Sequence, residues 1–266
     1  MDRGALQRGD PSPIRVSGNE PGVLALHGYG GTPFEVKLVV EVAHALGLSA
    51  YAPLLPGHGT HARDLAKTGF SDWMRAGEAA FDSLLGSSRR VIVIGLSMGS
   101  LVAAQLAATR KSEVCALGML ANATRLHSPF PALALRIVDR LGIRDFSVPK
   151  VGADIGDPEA RATHPSYGLQ PIHGAIEVVR AGQRTEKLLG TITVPAFIAH
   201  GKRDMVCPVA NAERVARLLG STEKRVVILP ESHHIITRDY DRETLRRELT
   251  DFVGRAAARV TNGALV

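Results

Sequence analysis

The residues best suited to chemistry lie at Gly95-Leu96-Ser97-Met98-Gly99. Glycines two positions either side of a serine let the chain turn sharply, because no Cβ obstructs the neighbouring backbone. The serine stands between an apolar run at 91–94 and a helix-like stretch at 98–110. Strand, tight turn and helix in that order is the context in which G-x-S-x-G presents a nucleophile, beside the positive end of the helix. A serine hydroxyl is a weak nucleophile until a base takes its proton, and a carboxylate must fix the tautomer of that base. Candidates for both follow later in the chain. Asp204 closes Gly201-Lys202-Arg203-Asp204 after the apolar run 195–199, and Ser232-His233-His234 comes just after the run 225–229. By position alone either histidine could serve.

Acyl transfer also needs donors for the charge that develops on the carbonyl oxygen. The backbone N–H of Met98, next to the serine, is one candidate. The loop Leu26-His27-Gly28-Tyr29-Gly30-Gly31-Thr32 offers another at Tyr29, since its glycines permit close approach of backbone to a substrate. A glycine-rich loop alone is a weak signal, and this one lacks the full G-x-G-x-x-G dinucleotide pattern.

The elements that must carry these residues are readable. Apolar runs at 23–26, 50–55, 91–94, 115–120, 195–199 and 226–229 alternate with helix-like stretches. Such alternation marks a parallel sheet covered by helices, with strands buried on both faces. Thr32, Pro33 and Glu35 together form a helix start, the threonine capping and Glu35 completing a capping box. Phe34, Leu38, Val42 and Ala45 would then share one helix face. Further helices are expected from Ser71-Asp72 to Leu85, and over 98–110, 210–219 and 242–258. The stretch 122–193 holds no clear buried strand and carries several prolines, so it is expected to be a helical insertion, with amphipathic stretches at 130–141 and 172–189. Leu126, Phe130, Leu133, Leu135, Ile137, Val138, Leu141 and Ile143 would supply its apolar stripe, as pocket wall or simply as the underside that anchors it.

The chain has 266 residues, 45% of them hydrophobic and 22% charged, which fits one globular α/β domain and excludes a disordered chain. The net charge of +6 is spread out, without the basic stripe or motif that would mark a nucleic-acid partner. Contact with an anionic lipid surface stays open. No apolar run approaches a membrane span and the first residues lack a signal-peptide core, so a cytoplasmic location is expected. Cys115 and Cys207 make no disulfide framework, and no metal-ligand spacing is present. Cys115, Cys207, His27, His58 and Trp73 are expected to be packing and structural residues.

Taken together these residues resemble the α/β-hydrolase superfamily, and within it bacterial carboxylesterases and monoacylglycerol lipases. The resemblance rests on Leu26-His27-Gly28-Tyr29-Gly30-Gly31-Thr32-Pro33, Leu55-Pro56-Gly57-His58-Gly59, Gly95-Leu96-Ser97-Met98-Gly99, Gly201-Lys202-Arg203-Asp204 and Ser232-His233-His234-Ile235-Ile236, with Asp72-Trp73 in support. It runs in order over residues 22–253. It departs at Ser100 and His233, where such enzymes often have glycine. The resemblance implies an α/β-hydrolase fold with a mostly parallel central sheet and a helical cap. The chain would divide into a polar N-terminal segment 1–20, a core 21–121 with 194–260, and a cap 122–193. It implies Ser97 as nucleophile, His234 rather than His233 as base and Asp204 as acid. Gly95 and Gly99 would shape the nucleophile elbow, and Tyr29 and Met98 would form the oxyanion hole, without cofactor or metal. The expected substrates are short-to-medium-chain monoesters, with monoacylglycerols as a candidate class. Two alternatives keep the same sequence pattern. One turns the triad on thioesters, carbon–carbon bonds or acyl transfer. The other is a ligand-binding protein without turnover.

Overall fold

The computed structural model describes residues 2–7, 9–127, 146–150 and 152–263. Its elements begin with β1 Ile14–Val16, β2 Asn19–Leu26, a 3-10 turn Pro33–Val36, α1 Lys37–Ala45 and β3 Leu48–Ala52. There follow α2 Ala62–Ala66, α3 Phe70–Leu85, β4 Val91–Leu96, α4 Met98–Thr109 and β5 Val114–Leu120. After the undescribed residues come β6 Ser147–Pro149, α5 Pro158–Thr163, β7 Leu169–Pro171 and α6 Ile172–Leu188. The chain closes with β8 Ala196–Gly201, α7 Ala210–Leu218, β9 Lys224–Leu229 and α8 Arg242–Thr261.

Every side chain of β4 and β5 is buried, which only helices on both faces can achieve. Among the described residues the main sheet has seven strands in the order β1-β3-β2-β4-β5-β8-β9. Only β1 runs antiparallel to its neighbour; the other pairings are parallel. Successive side chains point to opposite faces, so the core splits in two. Leu24, Leu26, Val93, Leu117 and Ile198 pack with α3 and α4 on one side. Val23, Ala25, Ile92, Ile94 and Phe197 pack with α1 and α8 on the other. The fold is thus α/β with a mostly parallel sheet, as the run of apolar segments implied.

Helix α4 is buried from Met98 through Ala104 and again at Leu106 and Ala107. Its outer side is covered by α6, where the Gln105 side-chain amide donates to Thr185 Oγ1 at 2.9 Å. Three expectations need correction. Thr32 makes no side-chain cap, and Glu35 turns its carboxylate inward to other partners, so no capping box forms. The capping carboxylate is Asp72, which accepts from Gly69 N–H at 2.9 Å at the start of α3. The buried face of α1 is Leu38, Val39, Val40, Val42 and Ala43, while Ala45 is exposed, because α1 is wedged between the sheet and α8. Residues 146–193 hold not only helices but the small antiparallel pair β6-β7. The stretch 2–20 contributes β1 and short bridges from Ala5 to His61 and from Gln7 to Ser166. The stretch 130–141 lies outside the described residues.

The sheet's two edges differ. β1 is three residues long, whereas β9 has six, with Lys224, Arg225, Val226 and Ile228 exposed. Among the described residues no helix is long and apolar enough to cross a membrane.

Candidate active site

Ser97 has φ 55° and ψ −119°, a left-handed conformation that a residue with a Cβ rarely adopts. Such strain persists only where the surroundings enforce it. Here they do. A Cβ on Gly95 would collide with the Gly99 carbonyl, and one on Gly99 would collide with the Leu26 carbonyl. The two glycines of the motif therefore let β4, α4 and the end of β2 meet without clash. Ser97 N–H is bound to Leu120 O at 2.9 Å, which ties the turn to the end of β5.

His234 arrives from the loop after β9 and Asp204 from the loop after β8. Ser97 O–H donates to His234 Nε2 at 2.8 Å, and His234 Nδ1–H donates to Asp204 Oδ2 at 2.8 Å. All three residues are buried. Gly201 brings the two loops together, because a Cβ there would strike the His233 carbonyl. Asp204 Oδ1 accepts from the N–H groups of Val206 and Cys207, at 2.8 and 2.7 Å. His233 turns elsewhere: its backbone N–H and its Nδ1 both meet Asp239 Oδ2, at 2.7 and 3.2 Å. Only His234 of the adjacent pair joins Ser97.

The electrostatics follow from this packing. Burial disfavours the His234 imidazolium, yet the Asp204 charge outweighs it and holds the ring well above its ordinary 6.5. Burial likewise opposes the Asp204 carboxylate, but the charge of His234 and a hydrogen bond from His200 keep it far below the usual range. A base with its carboxylate behind it and a hydroxyl before it can remove the hydroxyl proton as oxygen attacks a carbonyl.

Two neighbours of the site were not expected there: His200, which belongs to no motif, and Glu35, whose spacing from Thr32 suggested only a helix cap. His200, the buried penultimate residue of β8, places Nε2 at 3.0 Å from the same Asp204 Oδ2 and 3.2 Å from Cys207 O. Its only sequence signal is an imidazole four residues before an aspartate at a strand end. Glu35 is a buried carboxylate whose Oε2 accepts from Gly28 N–H at 3.0 Å. Its Oε1 lies 3.3 Å from His164 Nε2. Burial opposes its charge, but His164 and the Gly28 amide pull its pKa down to about 2.

Tyr29 and Met98 both lie beside Ser97. Tyr29 lines the cavity with Gly28 and Ser97, and Met98 opens α4 directly after Ser97. The Tyr29 hydroxyl donates to Pro171 O at 2.7 Å, which moors its loop to the end of β7. His27 and His58 are buried under this loop, their rings edge to face with centroids 4.8 Å apart. His27 Nε2 accepts from Leu55 N–H at 3.1 Å, consistent with a structural part. Cys115 is core, and burial raises its thiol to about 12. Cys207 lies against His234 with its thiol also raised by burial, so it is no thiolate. Asp204, Cys207 and His234 bring potential ligand atoms within 4.8 Å of one another, but two of the three, the Asp204 carboxylate and the His234 imidazole, are already hydrogen-bonded to each other.

A cavity of about 220 Å³ opens over Ser97 and His234. Leu126, Ala175, Val178, Val206 and Ile235 give it apolar walls, and Glu35 and Lys150 add charge. Burial lowers the Lys150 pKa, with the Glu35 charge opposing. Leu126 is the one member of the expected apolar stripe within the described residues, and it does line the cavity. Phe130, Leu133, Leu135, Ile137, Val138, Leu141 and Ile143 fall outside them.

Sheet order, strained elbow and buried Ser-His-Asp contact define a protein of the α/β-hydrolase fold. Residues 19–241 match the Hydrolase_4 family, described as serine aminopeptidase, S33, and the chain belongs to that family. It is 29% identical to a thermostable monoacylglycerol lipase of a Bacillus species over 250 residues, covering 91% of this chain and 97% of that one. A carboxylesterase of Bacillus subtilis is 21% identical over 91% of this chain and 96% of its own. Among solved structures, one from a study of the metagenome-derived lipolytic enzymes LipS and LipT superposes with a TM-score of 0.85 at 27% identity, covering 92% of this chain and 98% of that one. A monoacylglycerol lipase of Paleococcus ferrophilus shares the fold with a TM-score of 0.80 at 18% identity, over 94% and 99% of the two chains. The protein is a monoacylglycerol-lipase- and esterase-like serine hydrolase.

Proposed function

We propose that the protein hydrolyses short-to-medium-chain carboxylic monoesters, monoacylglycerols among them, through an acyl-enzyme on Ser97. The observation that carries this reading is the unbroken 2.8 Å contact from Ser97 to His234 and from His234 to Asp204 at a strained turn on a cavity wall. Ser97 Oγ bonds to the ester carbonyl carbon while its proton passes to His234 Nε2. The carbonyl electron pair moves onto oxygen, where the N–H groups of Tyr29 and Met98 receive it. Collapse expels the alcohol, which takes the proton from His234. Water then repeats the sequence on the acyl-Ser97 carbonyl, releasing acid and restoring the serine. Asp204 keeps the ring in the productive tautomer and offsets its positive charge.

The stretch 122–193 serves in this reading as the cap that bounds the acyl chain. Leu126 and Val178 on the cavity wall support it. The cavity, at about 220 Å³, is smaller than the roughly 300–1,000 Å³ typical of larger ligands. Each buried methylene contributes about 0.8 kcal/mol until the chain outgrows the pocket, which favours chains of about C4 to C12. The test combines two measurements. A fluorophosphonate probe labels the wild type and not Ser97→Ala. Values of kcat/KM are compared across p-nitrophenyl acetate, butyrate, octanoate, laurate and palmitate, with monoacylglycerols of matching chains. Turnover by a folded Ser97→Ala protein rejects the triad. A steady decline from acetate, or a preference for palmitate, rejects the bounded pocket.

A further inference from the structure

A carboxylate hidden from water is costly unless its partners are worth the loss, and an apolar side chain of similar size would often fold more stably in its place. Glu35 is such a carboxylate, 5% exposed and beside the nucleophile. Its partners are not scattered. Oε2 takes the N–H of Gly28, the residue before Tyr29. Oε1 takes Nε2–H of the buried His164, which belongs to the stretch after β6. The Glu35 main-chain carbonyl accepts from the hydroxyl of Thr237, three residues after His234. One residue thus touches the loop before the 3-10 turn, the histidine loop and the stretch between β6 and α6.

The glycine-rich loop is shaped around this carboxylate. A Cβ on Gly31 would collide with the Glu35 carboxyl group, and a Cβ on Gly28 would lie 3.2 Å from both Glu35 Oε2 and Ser97 Cβ. Gly28 is therefore packed between carboxylate and Ser97 with little room for a side chain of its own. Gly31 has no left-handed φ that would by itself require glycine, so it is the space taken by the carboxylate that calls for a residue without Cβ.

We propose that Glu35 is a positioning residue for the oxyanion hole: its carboxylate holds the Gly28 amide, and so aims the Tyr29 N–H at the reacting carbonyl, while His164 locks that carboxylate from the opposite side. The inference rests on the reading of Tyr29 as an oxyanion donor and adds Glu35 and His164 to it. Glu35 borders the cavity, but its two carboxylate oxygens are taken by Gly28 N–H and His164, so neither residue is given a chemical step on the ester. Their effect is on where a backbone donor points when the tetrahedral intermediate forms. Misaimed donors cost rate rather than binding, because the oxyanion exists only in the transition state.

The experiment uses the full chain and a small ester. Glu35→Ala lowers kcat on the order of 10²-fold, with KM little changed, since losing or misplacing one donor costs about that much. Labelling by a fluorophosphonate slows in the same proportion, because the phosphonyl adduct draws on the same donors. Glu35→Gln keeps an acceptor for Gly28 N–H and recovers most of the rate. Gly31→Ala is the second route to the same displacement and does not depend on Glu35→Ala folding. It lowers kcat in the wild type, yet adds no further loss in the Glu35→Ala background, where the colliding carboxylate is gone. Four results would overturn the proposal: unchanged kcat in folded Glu35→Ala, a loss in KM alone, no rescue by Gln, or additive effects of Gly31→Ala and Glu35→Ala. Turnover by Ser97→Ala in the same assays would instead reject the triad itself, so the two failures are distinct.

Discussion

At Asp204 one oxygen serves two rings. Oδ2 takes Nδ1–H of His234 at 2.8 Å and lies 3.0 Å from Nε2 of His200. Each donor draws on the same negative charge, so His200 tempers how strongly Asp204 stabilises the His234 imidazolium. Removing that donor with His200→Phe leaves more charge for His234 and raises its pKa further. The rising limb of kcat/KM, which reports the free-enzyme base, already stands above pH 6.5 in the wild type and moves to higher pH in the variant. A limb that stays put, or moves down, contradicts this account of His200. The neighbouring histidines separate by a simpler measurement. His234→Ala loses on the order of 10⁵–10⁶-fold in kcat, as expected for a triad base. His233→Ala keeps most of the rate, because its ring is bonded to Asp239 and turned from Ser97. The reverse ranking in a steady-state ester assay would reassign the base.

Among elements, the junction of β4 and α4 is held by absence of side chains. Gly99→Ala sets a Cβ against the Leu26 and His27 carbonyls at the end of β2, so helix and strand must separate. The expected loss is more than about 2 kcal/mol, with turnover gone. Gly86→Ala is the matched control. It ends α3 at φ −59°, and the nearest heavy atom stands 3.5 Å from the added Cβ. That substitution is neutral or slightly stabilising, since it restricts the unfolded chain. Urea unfolding of both variants decides, and equal midpoints would mean the junction is softer than drawn. The same contrast explains what the sequence revealed. β4 and β5 are apolar throughout, as are 23–26 of β2 and 196–199 of β8, so the core was legible, and G-x-S-x-G, Asp204 and His234 stand out because each follows such a run. Glu35 was not. Its spacing from Thr32 fits a cap, but its carboxylate turns toward Gly28 and His164, and His164 lies 129 positions away on another loop. Local rules carry no information about such a partner. β1 and the β6-β7 pair were missed for a related reason: three-residue strands have no period to read.

The molecule as a whole keeps ionisable groups in charge states that acid will undo. His58 is buried and neutral, with its pKa lowered to about 3 by burial and by the nearby His27. In the unfolded chain the ring protonates near 6.5, so between 6.5 and about 3 the unfolded state binds more protons. Stability is full above 6.5 and falls as pH drops below it. Glu35 acts in the same direction lower down: its contribution is present above 4.5 and is lost as pH falls toward about 2. The His58 part can reach about 1.4 kcal/mol per pH unit. Urea unfolding between pH 6.5 and 4.5 should show a declining free energy, less steep in His58→Gln. A flat profile would mean the ring finds a proton without unfolding. A different hazard lies at the far side of the sheet. Among the described residues no strand pairs with the outer side of β9, which leaves that edge open to any extended chain that comes alongside. Lys224 and Arg225 guard its first residues, the lysine folded onto Ala216 O and Leu219 O and the arginine held by Glu248. Beyond them Val226 and Ile228 stand bare at 36% and 41% exposure. When heat loosens the molecule, that half of the strand is where aggregates would be seeded, strand upon strand, while the loops that carry Asp204 and His234 are still in place.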